Sequence, residues 1–128
     1  MATIETRNPA TDTPIATYDL MSKDEAFAIV EAAHTAFEDW RTRSFEDRGA
    51  VLRKIAGTLR DNSDRIAELM TQEVGKLLRD GKVEVELCAR LFEYAADNGA
   101  EELADEERTH SGGKKRGIVT YQPIGVLY

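Results

Sequence analysis

The run Gly117 to Tyr128, Gly-Ile-Val-Thr-Tyr-Gln-Pro-Ile-Gly-Val-Leu-Tyr, constrains this chain more than any other stretch. It is rich in β-branched and aromatic residues, preceded by Gly112-Gly113 and divided by Pro123 and Gly125, a pattern that predicts two strand segments joined at a bend. Ile124, Val126 and Leu127 form a near-continuous apolar run of the kind found in strands covered on both faces. Such a strand needs neighbours for its backbone N–H and C=O groups. Almost everything upstream reads as helix, so the expected partner strands lie beyond Tyr128.

The pattern upstream is explicit. Thr3 to Arg7 alternates polar and apolar residues, Asn8-Pro9 and Asp12-Thr13-Pro14 are turn signals, and Ile15 to Leu20 is a second short strand, which predicts a hairpin over residues 3–20. Two strands alone are marginal in water, so the hairpin must rest on a helix or join a larger sheet. Residues 22–104 read as helices. Ser22 with Glu25 forms a capping box, followed by a stripe of Ala26, Ile29, Val30, Ala33, Phe37 and Trp40 expected to be buried. Ser44 caps a second helix with Val51, Leu52, Ile55 and Leu59 on its apolar face. Asp61-Asn62-Ser63 then interrupts before Ile66, Leu69, Met70 and Val74, and Gly75 supplies a left-handed C-cap. A fourth helix is expected after Asp80-Gly81, with Val83, Leu87, Cys88, Leu91, Phe92 and Ala95 as its stripe. Residues 105–116 read as a polar loop and 117–128 as strands.

Composition excludes some functions. Asp and Glu number 24 against 17 Lys and Arg, for a net charge of -7, which disfavours nucleic acid or an anionic membrane through Coulomb repulsion. With 128 residues, 41% of them hydrophobic, there is material for one domain with a modest core. A single cysteine, no signal-peptide h-region after Met1 and no long apolar run point to a reducing, cytoplasmic setting.

Few residues suggest chemistry. Cys88 is the obvious nucleophile candidate, but mid-helix on an apolar stripe its surroundings disfavour a thiolate, so a structural role is expected. His34 and His110 are too few and too isolated for a metal site. Lys114-Lys115-Arg116 follows two glycines but lacks the phosphate-loop spacing and reads as a solvated cluster before a strand. No Gly-x-Gly-x-x-Gly fingerprint occurs. The residues therefore nominate no catalytic, cofactor-binding or metal site.

The order of short signals is nevertheless specific. Asn8-Pro9-Ala10-Thr11, then Ala33, Ala36-Phe37 and Trp40, Arg48 and Leu52, Glu73-Val74-Gly75-Lys76, Phe92-Glu93-Tyr94-Ala95, and Gln122-Pro123-Ile124-Gly125-Val126 together resemble the N-terminal segment of the NAD(P)-dependent aldehyde dehydrogenase superfamily, closest to its succinate-semialdehyde branch. Two departures stand out: Asp12 replaces a customary glycine, and Leu77 replaces a proline common after Gly-Lys. The resemblance implies an α/β fold with a Rossmann-like cofactor domain, a catalytic domain and a small oligomerisation subdomain. This chain, mostly α with an N-terminal hairpin and C-terminal strands, would be the first part of the cofactor domain, with 117–128 leading in from the oligomerisation subdomain.

The reaction implied is oxidation of an aldehyde to a carboxylate. A cysteine thiolate attacks, an asparagine side chain and a backbone N–H hold the oxyanion, NAD or NADP takes the hydride, and a glutamate activates water. The resemblance places all of these groups after the counterpart of Tyr128, with a Pro-Trp-Asn stretch soon following. Cys88 is not the family's nucleophile, so the expectation is an inactive chain that binds no cofactor alone and whose partner is the missing C-terminal part or a second copy. The alternative is a small acidic helical interaction module without enzymatic activity.

Overall fold

The computed structural model describes residues 2–110, 112–113 and 115–127. In chain order the elements are β1 (Thr3–Arg7), β2 (Pro14–Asp19), α1 (Lys23–Trp40), α2 (Phe45–Asp61), α3 (Ser63–Val74), α4 (Leu78–Glu102), β3 (Glu106–His110) and β4 (Lys115–Val119). The strands form two separate antiparallel ribbons, β1 with β2 and β3 with β4.

The helix starts follow from their caps. At Ser22 the hydroxyl accepts from the Glu25 N–H at 3.2 Å, while the Glu25 carboxylate accepts from the Ser22 N–H at 2.7 Å, satisfying two orphan donors reciprocally. Ser44 accepts from the Asp47 N–H at 3.0 Å. At the end of α3, Gly75 is left-handed with φ 70°. Its N–H donates to the Thr71 carbonyl and the Lys76 N–H to that of Met70, the first being the 5→1 bond of the αL cap. A Cβ on Gly75 would lie 3.4 Å from Pro9 Cγ, so the β1–β2 turn rests against the end of α3. That turn is held by Asn8, whose side chain accepts from the Ala10 N–H at 2.9 Å. Asp12 sits at φ 55°, the left-handed conformation its replacement of glycine requires.

Helices α2, α3 and α4 pack together, and the fully buried side chains are small: Ala56, Ala67 and Ala89 are inaccessible and Val85 is 2% exposed. Small residues allow close approach. At Gly81 an added Cβ would stand 3.1 Å from both Cα and Cβ of Ala67. This corrects the expected helix start after Asp80-Gly81: α4 begins at Leu78, and Gly81 lies within it as the contact point with α3 rather than as a breaker.

Which stripe is buried also differs from expectation. On α4 the inner face is Gly81, Val85 and Ala89, while Val83, Leu87 and Leu91 are exposed. On α1 the predicted stripe is only partly covered: Ala26, Ala33, Phe37 and Trp40 are half-buried, and Ile29 and Val30 are exposed. The reason is packing, since α1 makes no substantial contact with another helix among the described residues.

Two corrections fall at the C-terminal side. The expected polar loop over 105–116 contains β3, which pairs with β4 from Glu106 opposite Val119 to His110 opposite Lys115. Of the strands expected over 117–128, β4 begins at Lys115 and ends at Val119, and residues 120–127 form no strand because nothing described pairs with them. In total the chain exposes 10297 Å², against roughly 6,800 Å² for a compact monomer of its mass by surface scaling.

Candidate functional site

The side chains that could carry chemistry are scattered. Cys88 is half-buried on α4. His34 is exposed on α1, with Nε2 4.0 Å from Glu38 Oε1 and its ring stacked on Phe37. His110 lies at the far end of β3, opposite Lys115. In the basic cluster, Lys114 lies outside the described residues, Lys115 and Arg116 belong to β4 itself rather than to a pre-strand loop, and Arg116 pairs with Glu107 across the ribbon. No group of three or more His, Cys, Asp or Glu residues suited to a metal ion occurs among the described residues.

Charge is concentrated instead where α2 meets α4. The Arg60 guanidinium binds Glu86 at 2.9 and 3.0 Å and Glu93 at 2.7 Å. One turn and more away, Arg53 binds Asp97 at 3.1 and 2.9 Å. Hydrogen bonds from Arg60 hold the carboxyls of Glu86 and Glu93 below the ordinary glutamate value, and its own proton is held correspondingly tighter by Glu93 and then Glu86. Forked contacts of this type fix orientation as well as distance, so they set the register of α2 on α4.

A concave surface lies at the corner where α1 gives way to α2. A cavity of about 370 Å³ is walled by Trp40, Phe45, Leu52, Tyr94 and Leu103, with Arg48 on its rim. A second, of about 440 Å³, shares Phe45, Arg48 and Leu103 and is closed by Tyr121, Gln122 and Pro123. The Arg48 guanidinium lies over the Phe45 ring, 4.4 Å from its centroid. Its Nε is buried and has no acceptor among the described residues. Sequence reasoning noticed Arg48 only as part of a motif, and missed both its orphan donor and Arg60, whose partners sit on another helix.

Acid–base chemistry at this corner is poor. A hydrogen bond from the Tyr94 hydroxyl to Glu102 raises the phenol above its usual value, as one from Tyr121 to Glu106 does for that ring. Both phenols are thereby kept protonated and cannot serve as bases near neutrality. Among the described residues the cavity is lined by no Ser, Thr, Cys, His or Lys side chain.

The helical unit with its two ribbons has known counterparts. The sequence model of the aldehyde dehydrogenase family matches residues 1–128. The chain belongs to the aldehyde dehydrogenase family. Among curated aldehyde dehydrogenases, it is 37% identical over 125 residues to succinate-semialdehyde dehydrogenase (NADP+) 1 of Mycobacterium tuberculosis, covering 97% of this chain and 27% of the relative. It is 34% identical over 122 residues to succinate-semialdehyde dehydrogenase (NADP+) of Deinococcus radiodurans, covering 95% and 25%. Among solved structures, succinate-semialdehyde dehydrogenase from Burkholderia pseudomallei matches at TM-score 0.85 and 33% identity, over 97% of this chain and 26% of that one. The enzyme from Streptococcus pyogenes, in complex with NADP+ as the cofactor, matches at TM-score 0.77 and 34% identity, over 83% and 24%.

The chain thus spans about a quarter of the length of the relatives it matches, and it corresponds to the N-terminal segment of the aldehyde dehydrogenase fold. Its own part is mostly helical, with two small two-stranded sheets, within that α/β enzyme fold. No helix among the described residues is long and apolar enough to cross a membrane.

Proposed function

We propose that this chain supplies the N-terminal part of an NADP-dependent succinate-semialdehyde dehydrogenase, which oxidises the aldehyde to a carboxylate, and that on its own it is inactive. The observation that supports this most is the end-to-end similarity to the first quarter of such enzymes, at 37% identity. The surface supports it as well. Val83, Leu87 and Leu91 on α4, Ile29 and Val30 on α1, and Ile124 and Leu127 beyond β4 are all exposed, apolar side chains of the kind that further protein surface covers. In this reading the remainder of the enzyme, or a second copy of it, covers these faces and brings the nucleophile, the oxyanion donor and the nicotinamide. The complete enzyme works with NADP, and the chain alone binds no dinucleotide.

A chimera tests the proposal. Residues 1–128 replace the corresponding first quarter of the Mycobacterium tuberculosis relative, and NADPH formation from succinate semialdehyde is followed. Turnover by the chimera and none by the 128-residue chain is the expected pair of results. An insoluble or inactive chimera, or robust turnover by the chain alone, overturns it. The alternative of an independent acidic interaction module predicts a folded monomer on size-exclusion chromatography, whereas the exposed faces predict self-association.

A further inference from the structure

The three arginines of α2, Arg48, Arg53 and Arg60, differ in what holds them. Arg53 and Arg60 bind carboxylates of α4, the first at Asp97, the second at Glu86 and Glu93. Arg48 is different. Its Nε–H is buried without an acceptor among the described residues, a costly condition for a polar group removed from water. Two neighbours are already engaged elsewhere or unsuited. Glu102 lines the cavity that Arg48 borders but accepts from the Tyr94 hydroxyl, and the Phe45 ring takes one face of the guanidinium.

The same arginine borders both concavities of the corner, about 370 and 440 Å³, which share Phe45 and Leu103 as walls. Those two side chains are 40% and 45% exposed. Arg41 borders the larger concavity, and its Nη1 stands 3.9 Å from Glu38 Oε1, beyond hydrogen-bond length. Apolar walls and arginine donors short of acceptors thus meet at one place. An apolar wall accepts almost any apolar cover, whereas a guanidinium requires oxygen.

We propose that this corner is where the rest of the dehydrogenase docks on α2: a segment from outside residues 1–128 seats an apolar side chain between Phe45 and Leu103 and sets an oxygen acceptor on the Arg48 guanidinium. Docking rests on the reading of the chain as the first quarter of such an enzyme, and the match to the Mycobacterium tuberculosis relative, 27% of that protein, leaves the greater part of it to supply the segment. Interfaces concentrate their binding energy in clusters of this type, with aromatic and arginine side chains at the centre. The planar fork of the arginine fixes the direction of its acceptor as well as its distance, which a lysine does not reproduce. Arg48 is therefore a positioning residue, holding the catalytic part on the helical unit through the docked segment.

The test uses the chimera of residues 1–128 with the rest of the Mycobacterium tuberculosis relative, followed by amide hydrogen exchange. Arg48→Lys keeps the charge and removes the fork. It should speed exchange of at least one segment outside residues 1–128 by about tenfold, the scale of a lost hydrogen bond to a charged group. Arg53→Lys, which loosens a pair internal to residues 1–128, should speed exchange in α2 and α4 alone. A crystal structure of the unsubstituted chimera gives a second readout, in which an oxygen from outside residues 1–128 lies within hydrogen-bonding distance of the Arg48 guanidinium. Faster exchange confined to residues 1–128 in the Arg48→Lys chimera overturns the proposal. So does an equal response outside residues 1–128 from Arg53→Lys, or a crystal in which the acceptors of Arg48 are all water or residues 1–128. An unsubstituted chimera that does not fold overturns the functional reading and docking with it, and is told apart by failing before Arg48 is changed.

Discussion

Helices α1 and α2 are of nearly equal length, 18 and 17 residues, each starts at a serine cap, and each carries an apolar stripe. Yet α2 buries Ala56 completely and is pinned to α4 by Arg53 and Arg60, whereas α1 buries no residue. Amphipathic periodicity and good caps are therefore enough to make a helix and not enough to place it. What α2 has is a facing helix with small residues at the contact and carboxylates at the right height. What α1 has is a short link to α2 and a groove beside the 121–126 segment. The α2–α3–α4 unit should behave as the stable part and α1 as a separable one.

The strongest way to break that contrast is to crowd the packed unit. Gly81→Val places its branched side chain on Ala67, and overpacking of this sort costs about 1–3 kcal/mol. Urea unfolding followed by far-UV circular dichroism should show the loss, while the few protected amides of α1 change little. If α1 loses protection in step with α4, the two regions form one cooperative unit and the contrast fails.

Acid probes the ion pairs. Folding depresses the carboxyls of Glu86 and Glu93, chiefly through hydrogen bonds from Arg60. Their contribution is fully present above the ordinary value of 4.5 and is lost as pH falls through the lowered folded values. Arg60→Met should lower stability at pH 7 and flatten the acid limb between about pH 5 and 3, the range over which linked carboxylates titrate. An acid limb of unchanged slope would remove Arg60 from the account.

Smaller effects sharpen the picture from the other side. Ser22→Ala removes the capping box and should cost α1 about 1 kcal/mol, visible as faster exchange confined to that helix, with the global unfolding midpoint held. Leu77→Pro should stabilise by about 0.4–1 kcal/mol through the unfolded chain. Leu77 already has φ -61° at the start of α4 and its side chain is largely exposed, so a proline there costs little in native contacts. A lowered thermal midpoint would mean that its N–H has an unrecognised role.

How much of this was legible in the sequence depends on how local each signal is. Ser22, Ser44 and Gly75 behave as read, because caps are decided by neighbours a few residues away. The start of α4 was misplaced because Gly81 acts on a different helix, through Ala67. β3 escaped notice because Glu106-Glu107-Arg108-Thr109-His110 is polar on both faces, so no apolar alternation marks it. In the ribbon Glu107 stands opposite Ile118 and reaches diagonally across to Arg116. Periodicity also found apolar stripes without telling which would be covered. On α4 the period marks Leu87 and Leu91, whereas the close contact falls on Val85 and Ala89. The family was readable from the order of motifs. The orphan donor of Arg48 was not readable, because burial of a single side-chain atom exists only in the folded chain.

The seating of Pro9 on Gly75 has a kinetic side. These two residues are far apart in the chain, and bringing such distant points together carries a loop-closure penalty that only prior structure offsets. The N-terminal hairpin can dock only after α3 has ended in its left-handed turn. Assembly should accordingly run from the middle of the chain outwards, with the first residues synthesised among the last to find their place, and the Asn8-Pro9 turn waiting on the helix end that receives it.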